Sequence, residues 1–119
     1  MKNLYGIVGW YADKVDENEV VGVTFGGFLI VENSRIITDG NLVDRLGNSR
    51  IIIGSITESE LEFKKRYHKS RDDIEYKFRR EGSLWVGRYK MYEKNGISEA
   101  ITNLAPFQNV ERLKTLKNL

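Results

Sequence analysis

The chain contains no cysteine. Disulfides, zinc–thiolate centres and cysteine nucleophiles are thereby excluded. It has a single histidine, His68, so a histidine-built metal centre is excluded too. His68 lies among Lys69, Ser70, Arg71, Asp72 and Asp73. A His–Ser–Asp set inside one short loop does not make a triad, which needs a separately positioned, buried orienting group. No run of apolar residues reaches the length that spans a bilayer. The opening residues Met1 to Gly6 lack the apolar stretch of a signal peptide, and the expectation is a cytoplasmic protein away from membranes. The only proline is Pro106, whereas glycine occurs eleven times. Glycine is therefore the punctuation, at turns and inside apolar runs alike, where it marks bulges or close approach of a neighbour.

What is present is ordinary globular material. The 119 residues suffice for one domain, with 40% hydrophobic and 30% charged residues. The net charge of +2 is unevenly spread: residues 1–60 carry nine acids and five bases, residues 61–119 eight acids and fourteen bases. This asymmetry fits an anionic partner for the second half, or a solvated outer sheet face.

About eight extended runs follow one another: 3–12, 20–32, 34–39, 41–45 continuing after a turn into 49–57, then 59–67, 72–80, 83–92 and 97–104. Their spacing predicts an all-β fold, a single antiparallel up-and-down β-barrel. After Pro106 the period changes. Val110, Leu113, Leu116 and Leu119 recur at helical spacing, which predicts a short C-terminal helix within a 105–119 tail.

Turn signals predict registers for the second half. A Glu58-Ser59 turn sets Gly54 opposite Phe63 and Ile52 opposite Lys65. The loop from His68 to Asp73 sets Tyr67 opposite Ile74. A Glu81-Gly82 turn sets Arg80 opposite Ser83 and Tyr76 opposite Gly87. An Asn95-Gly96 turn sets Tyr89 opposite Thr102 and Gly87 opposite Leu104. One face then collects Ile52, Gly54, Ile56, Leu61, Phe63, Tyr67, Ile74, Tyr76, Phe78, Trp85, Tyr89, Met91, Ala100, Thr102 and Leu104. The other collects Glu62, Lys64, Arg66, Glu75, Lys77, Arg79, Val86, Arg88, Lys90, Tyr92, Glu99 and Asn103. Tyr5 to Ala12 and Val20 to Val31 are apolar enough to close this sheet on itself, which removes its edges. Lys65 is the exception, a cation on the inner face. It snorkels to a barrel mouth, meets an anionic ligand in a wet cavity, or marks a bulge that slips the register.

Gly6-Ile7-Val8-Gly9-Trp10-Tyr11 is similar to the opening strand of the calycins, the lipocalin and avidin-like barrels. Trp85-Val86-Gly87-Arg88-Tyr89 resembles their W-x-G-x-Y strand. Gly40, Asp44 and Gly47, followed after Gly54 by Phe63-Lys64-Lys65-Arg66-Tyr67, resemble a G-x3-D-x2-G turn leading into an F-x-K-x-Y strand. The resemblance covers most of residues 5–104 by pattern. It departs from the family where Gly9 directly precedes Trp10. It implies a meander barrel with a central pocket and names no ligand.

No catalytic residue, metal site or cofactor is expected. Asp13, Asp16, Glu17 and Glu19 form an acidic turn whose spacing does not match an EF-hand loop. Gly22, Gly26 and Gly27 lack a P-loop lysine and a G-x-G-x-x-G pattern. The expected function is non-enzymatic binding of a small apolar or anionic ligand inside the barrel, lined by Trp10, Phe63, Lys65, Tyr67, Tyr76, Trp85 and Tyr89. A homo-oligomeric or protein-interaction module is the alternative. Residues 63–80 interleave aromatics with eight bases, as single-strand nucleic-acid binders do. A stacking platform, however, needs rings and cations on one surface, and here they alternate between faces.

Overall fold

The structure is a computed structural model and describes residues 2–16, 19–37, 40–92 and 94–104. Nine strands form it: β1 (Lys2–Asp16), β2 (Glu19–Glu32), β3 (Arg35–Ile36), β4 (Asn41–Asp44), β5 (Gly47–Ile56), β6 (Glu60–Tyr67), β7 (Asp73–Glu81), β8 (Leu84–Met91) and β9 (Lys94–Leu104). All neighbours run antiparallel, and β1 pairs with both β2 and β9, so the sheet closes. The short strands β3 and β4 share one position between β2 and β5, so the closed barrel has eight positions. The turn expected between runs 41–45 and 49–57 is there, and it separates β4 from β5 between Asp44 and Gly47. The predicted C-terminal helix and tail, 105–119, lie outside the described residues.

Side-chain alternation fills the interior from every strand. The core takes Ile7 and Tyr11 from β1, Phe25 and Leu29 from β2, and Leu42 from β4. From the meander it takes Ile51, Phe63, Tyr76, Trp85 and Ala100. The charged residues predicted for the outside are there: Glu62, Lys64, Lys77, Arg79, Arg88 and Lys90 are all exposed.

The registers differ from those read off the turns. β7 and β8 meet at Gly82-Ser83, with Glu81 opposite Leu84. Gly82 adopts φ +62°, which suits glycine at the first central position of a hairpin turn. Tyr76 consequently faces Tyr89, and Phe78 faces Gly87. β8 and β9 turn between Met91 and Lys94, with Tyr92 at φ +54°, so the Asn95-Gly96 signal is overridden. Gly96 lies inside β9 opposite Tyr89. A Cβ there would stand 2.1 Å from the Ala12 carbonyl oxygen and 2.6 Å from the Tyr89 ring. Packing, not the turn, claims this glycine. β6 and β7 set Lys65 opposite Ile74, not Tyr67. Each slip is an even number of residues, so the inner and outer faces survive. The Gly54–Phe63 pair stands as expected, with the Phe63 Cβ 2.8 Å from where a Gly54 Cβ would be. Ile52 is corrected: β5 bulges between Ile51 and Ile53, so Ile51 faces Lys65 and enters the core. Leu104, predicted inside, is exposed where β9 leaves the barrel.

Candidate functional site

β6 alternates Leu61, Phe63, Lys65 and Tyr67 inward, so its inner face turns from apolar to polar toward its C-terminal end. β4 ends at Asp44, in register with the inward Phe25. There the chain turns through Arg45-Leu46, and the Leu46 amide donates to Asp44 Oδ1 at 2.8 Å. This side-chain-capped turn aims the other carboxylate oxygen into the barrel. Asp44 Oδ2 accepts from Lys65 Nζ at 3.1 Å, from the Tyr11 hydroxyl at 3.4 Å and from the Tyr67 hydroxyl. The Lys65 and Asp44 side chains are 1% and 0% exposed, so this is a dry ion pair joining β4, β6 and β1.

Aromatic faces complete the ammonium's surroundings. Lys65 Nζ lies 4.8 Å from the centre of the Tyr67 ring, 5.3 Å from Tyr76, 5.5 Å from Tyr11 and 5.6 Å from Phe25. Such contacts reach roughly 2 kcal/mol when desolvated. Burial lowers the Lys65 pKa, and Asp44 offsets part of that. Burial also pushes the Asp44 carboxyl up. The Tyr67 hydroxyl, the Lys65 charge and the Leu46 amide outweigh it and hold the carboxyl below its ordinary value. Burial and the hydrogen bond to Asp44 raise Tyr67 far above the usual phenol range, so it donates as a neutral hydroxyl.

Lys65 thus points inward without snorkelling, and the anion it meets is the chain's own Asp44. The two parts of the turn-and-strand pattern, Asp44 and the pair Lys65 and Tyr67, converge in one cluster. Asp44, Tyr11 and Phe25 were not among the expected site residues. The signal was available in that pattern, but registers before Gly47 could not be assigned from turns.

The other expected residues divide. Phe63, Tyr76 and Tyr89 stack beside the ion pair, with ring centres 4.9 Å apart for Phe63–Tyr76 and 6.0 Å for Tyr76–Tyr89. Trp85 is fully buried toward the opposite end, where its indole N–H donates to Thr102 at 2.9 Å. The Arg80 guanidinium lies 4.5 Å over its ring. Trp10 is corrected. Gly9 and Tyr11 take the inner positions, so Trp10 lies half-buried on the outside, in register with exposed Thr24. The side chains of the acidic turn, residues 13–19, lie outside the described residues. Among the described residues, no group of three His, Cys, Asp or Glu side chains could hold a metal ion.

Among the described residues, clefts open on the outer surface, and two of them bear on binding. One of about 670 Å³ crosses β3, β5, β6 and β7, with Ile37, Ile52 and Ile53 in its floor and a rim of mixed charge. The other, about 320 Å³, lies on the flank of β4, β5 and β6 beside the loop after Tyr67. Its lining includes Arg50, Arg66, His68 and Lys69, together with Asn41, Asn48 and Ser70, and contains no carboxylate. Arg50 and Arg66 stand directly opposite each other across the strands. Arg66 Nε donates to Asp73 at 2.7 Å.

No family model matches the chain, and no curated protein matches it. Among solved structures, it is similar to HpuA from Kingella denitrificans, determined in complex with human haemoglobin. The match has 13% identity and a TM-score of 0.43, and it covers 91% of this chain. This chain spans 45% of that one, and nothing about function follows from so distant a likeness.

Proposed function

We propose that the chain is a non-enzymatic binding barrel for a small anionic ligand, held on the barrel's flank and not in its interior. The observation that carries this is the charge of the smaller cleft: two arginines, a lysine and no carboxylate in its lining. The interior offers an anion little. Lys65 is neutralised by Asp44, and Phe63, Tyr76 and Trp85 are each no more than 2% exposed. Like charges directly opposite on a sheet face are destabilising. Asp73 pairs with Arg66, and the Arg50 charge also helps to hold the Asp73 carboxyl low without an ion pair of its own among the described residues. A phosphate or carboxylate group between Arg50 and Lys69 relieves the rest, with Asn41, Asn48 and Ser70 as neutral hydrogen-bond partners. A volume of about 320 Å³ is at the small end of ligand sites. The larger cleft sets Arg35, Lys64 and Lys77 against Glu62 and Glu75 and selects no sign of charge.

Titration with pyrophosphate and with citrate at low salt, followed by amide chemical shifts, tests this. The expected result is saturable shifts around 48–50 and 66–70. Losing a charged hydrogen bond costs about 1.5–3 kcal/mol, so Arg50→Ala with Lys69→Ala weakens binding about tenfold or more. Lys77→Ala, in the other cleft, leaves it unchanged. Binding indifferent to Arg50 and Lys69, or no saturable binding of either anion, sinks the proposal. Salt-sensitive retention on single-stranded DNA that depends on Lys64, Arg79 and Arg88 but not on the cleft replaces it with nucleic-acid binding.

A further inference from the structure

Among the described residues, four other than glycine lie in the left-handed backbone region: Asn33 at φ +52°, Ser34 at +66°, Lys69 at +67° and Tyr92 at +54°. That conformation crowds the Cβ of an L-residue against its own carbonyl oxygen, and only glycine enters it freely. Three of the four are accounted for within the chain. Asn33 and Ser34 form the two-residue turn between Glu32 and Arg35, where hairpin twist requires a positive φ at both positions. Tyr92 turns the chain between Met91 and Lys94, and its hydroxyl donates to Asp72 in the neighbouring loop.

Lys69 has no such partner. It holds the third position of the turn from Tyr67 to Ser70, closed by the Ser70 amide donating to the Tyr67 carbonyl at 3.0 Å. A positive φ at that position calls for glycine or asparagine. The lysine is exposed, and its side chain makes no hydrogen bond or ion pair among the described residues. Glycine would form this turn with less strain. What lysine adds there is an ammonium, at a residue that lines the smaller cleft together with Arg50 and Arg66.

The cations of this cleft are not equivalent. Arg66 donates its Nε to Asp73 at 2.7 Å, and the Asp72 charge acts on it from the same loop. Arg50 faces Arg66 across the strands and reaches Asp73 only at longer range. Arg50 and Lys69 are thus the two cations of the lining without an ion pair among the described residues. Two unpaired cations around one small cleft match a group that carries two negative charges. A phosphate monoester is such a group above its second pKa of about 6. A sulfate monoester has the same tetrahedral shape and a single charge. Asn41, Asn48 and Ser70 are neutral, so telling the two apart falls to the cations.

We propose that the smaller cleft selects a phosphate monoester dianion over singly charged anions of the same shape, and that Lys69 sets this selectivity. The proposal rests on the anion-binding reading of the cleft and adds to it the charge of the ligand. Lys69 is then a specificity-determining residue held in a strained conformation for the sake of its charge.

Methyl phosphate and methyl sulfate are titrated into the full-length chain at one ionic strength and at about pH 7.5, above the second phosphate pKa. Amide shifts at 48–50 and 66–70 are the readout. One additional charged contact is worth a factor of about ten, so methyl phosphate binds about tenfold more tightly than methyl sulfate. Lys69→Gly brings the two affinities to within about twofold and raises Tm by about 2–4 °C, because the turn loses its strain. Lys69→Arg keeps both the preference and the natural Tm. Equal affinities in the natural chain overturn the selectivity and leave anion binding standing. A preference that survives Lys69→Gly, or a lower Tm in that variant, overturns the role given to Lys69. If neither anion shifts these residues, the anion-binding reading falls and the selectivity falls with it.

Discussion

Asp44→Ala tests the buried ion pair most directly. The substitution removes the acceptor of Lys65, Tyr67, Tyr11 and the Leu46 amide together. Breaking a buried pair by deleting one partner costs about 3–5 kcal/mol, because the remaining charge stays buried without compensation. Against a typical domain stability of roughly 5–15 kcal/mol, that is about a fifth of the total or more. At about 4 °C per kcal/mol for a chain near this size, Tm falls by roughly 12–20 °C. Equilibrium urea unfolding, followed by far-ultraviolet circular dichroism, should show a lower midpoint at unchanged slope. Lys65→Met should cost less, since Asp44 keeps three donors and the methionine fills most of the lysine's volume. Combining Lys65→Met with Asp44→Leu removes both charges, and such replacements are often neutral or stabilising. The double variant should therefore be more stable than Asp44→Ala. The reasoning is refuted if Asp44→Ala costs under about 1 kcal/mol, or costs as much in a Lys65→Met background as in the natural one.

Three further outcomes follow from the same packing. The Asp44 carboxyl is held below its ordinary value, so the folded state binds fewer protons than the unfolded one across the acid range. Its contribution is complete above the ordinary carboxylate pKa of about 3.9 and fades as pH falls through the lower folded value; Asp44→Asn should flatten that limb of a stability–pH curve, and an unchanged limb contradicts the assignment. Gly96→Ala forces a methyl to within 2.1 Å of the Ala12 carbonyl and should cost about 1–3 kcal/mol, whereas Gly26→Ala, whose nearest atom is 3.7 Å away, should be near neutral by the same unfolding assay. Acrylamide should quench the half-exposed Trp10 and spare the buried Trp85, so Trp10→Phe leaves a blue-shifted, protected emission; easily quenched emission from that variant contradicts a sealed interior.

Much of this architecture is legible in the residues, and the errors have a common form. The inner faces of β6, β7 and β8 are readable because side-chain alternation does not depend on where a turn falls, provided the slip is even. Gly82-Ser83 displaces its hairpin by two residues and the Tyr92 turn displaces the next by six, yet Tyr76, Phe78 and Tyr89 keep their face. Asn95-Gly96 misleads because its glycine is needed under the Tyr89 ring, a tertiary demand invisible to local turn chemistry. The bulge at Ile52 is hidden because Ile51, Ile52 and Ile53 are the same residue type. Lys65 announces itself as an inward cation, but its partner comes from β4, a strand of four residues whose register no turn signal specified. Trp10 is misplaced because a Gly-Trp pair fits either face, and the pairing of β1 with β2 and β9 decides it.

The closure of β1 on β9 also has a kinetic meaning. The strands from β5 to β9 join through short hairpins, so their contacts are local and quick to find. The seam between Tyr5 and Leu104 joins residues almost a full chain apart, and such non-local pairings slow folding toward milliseconds or longer. Until the seam forms, the first and last strands are open edges able to pair with other chains. Asp44 lies between the two regimes, drawing Tyr11 of the first strand toward Lys65 of the hairpin meander. The pair that is costly to bury thus acts as a latch for the slowest contact, and its loss should lengthen the time the chain spends unsealed.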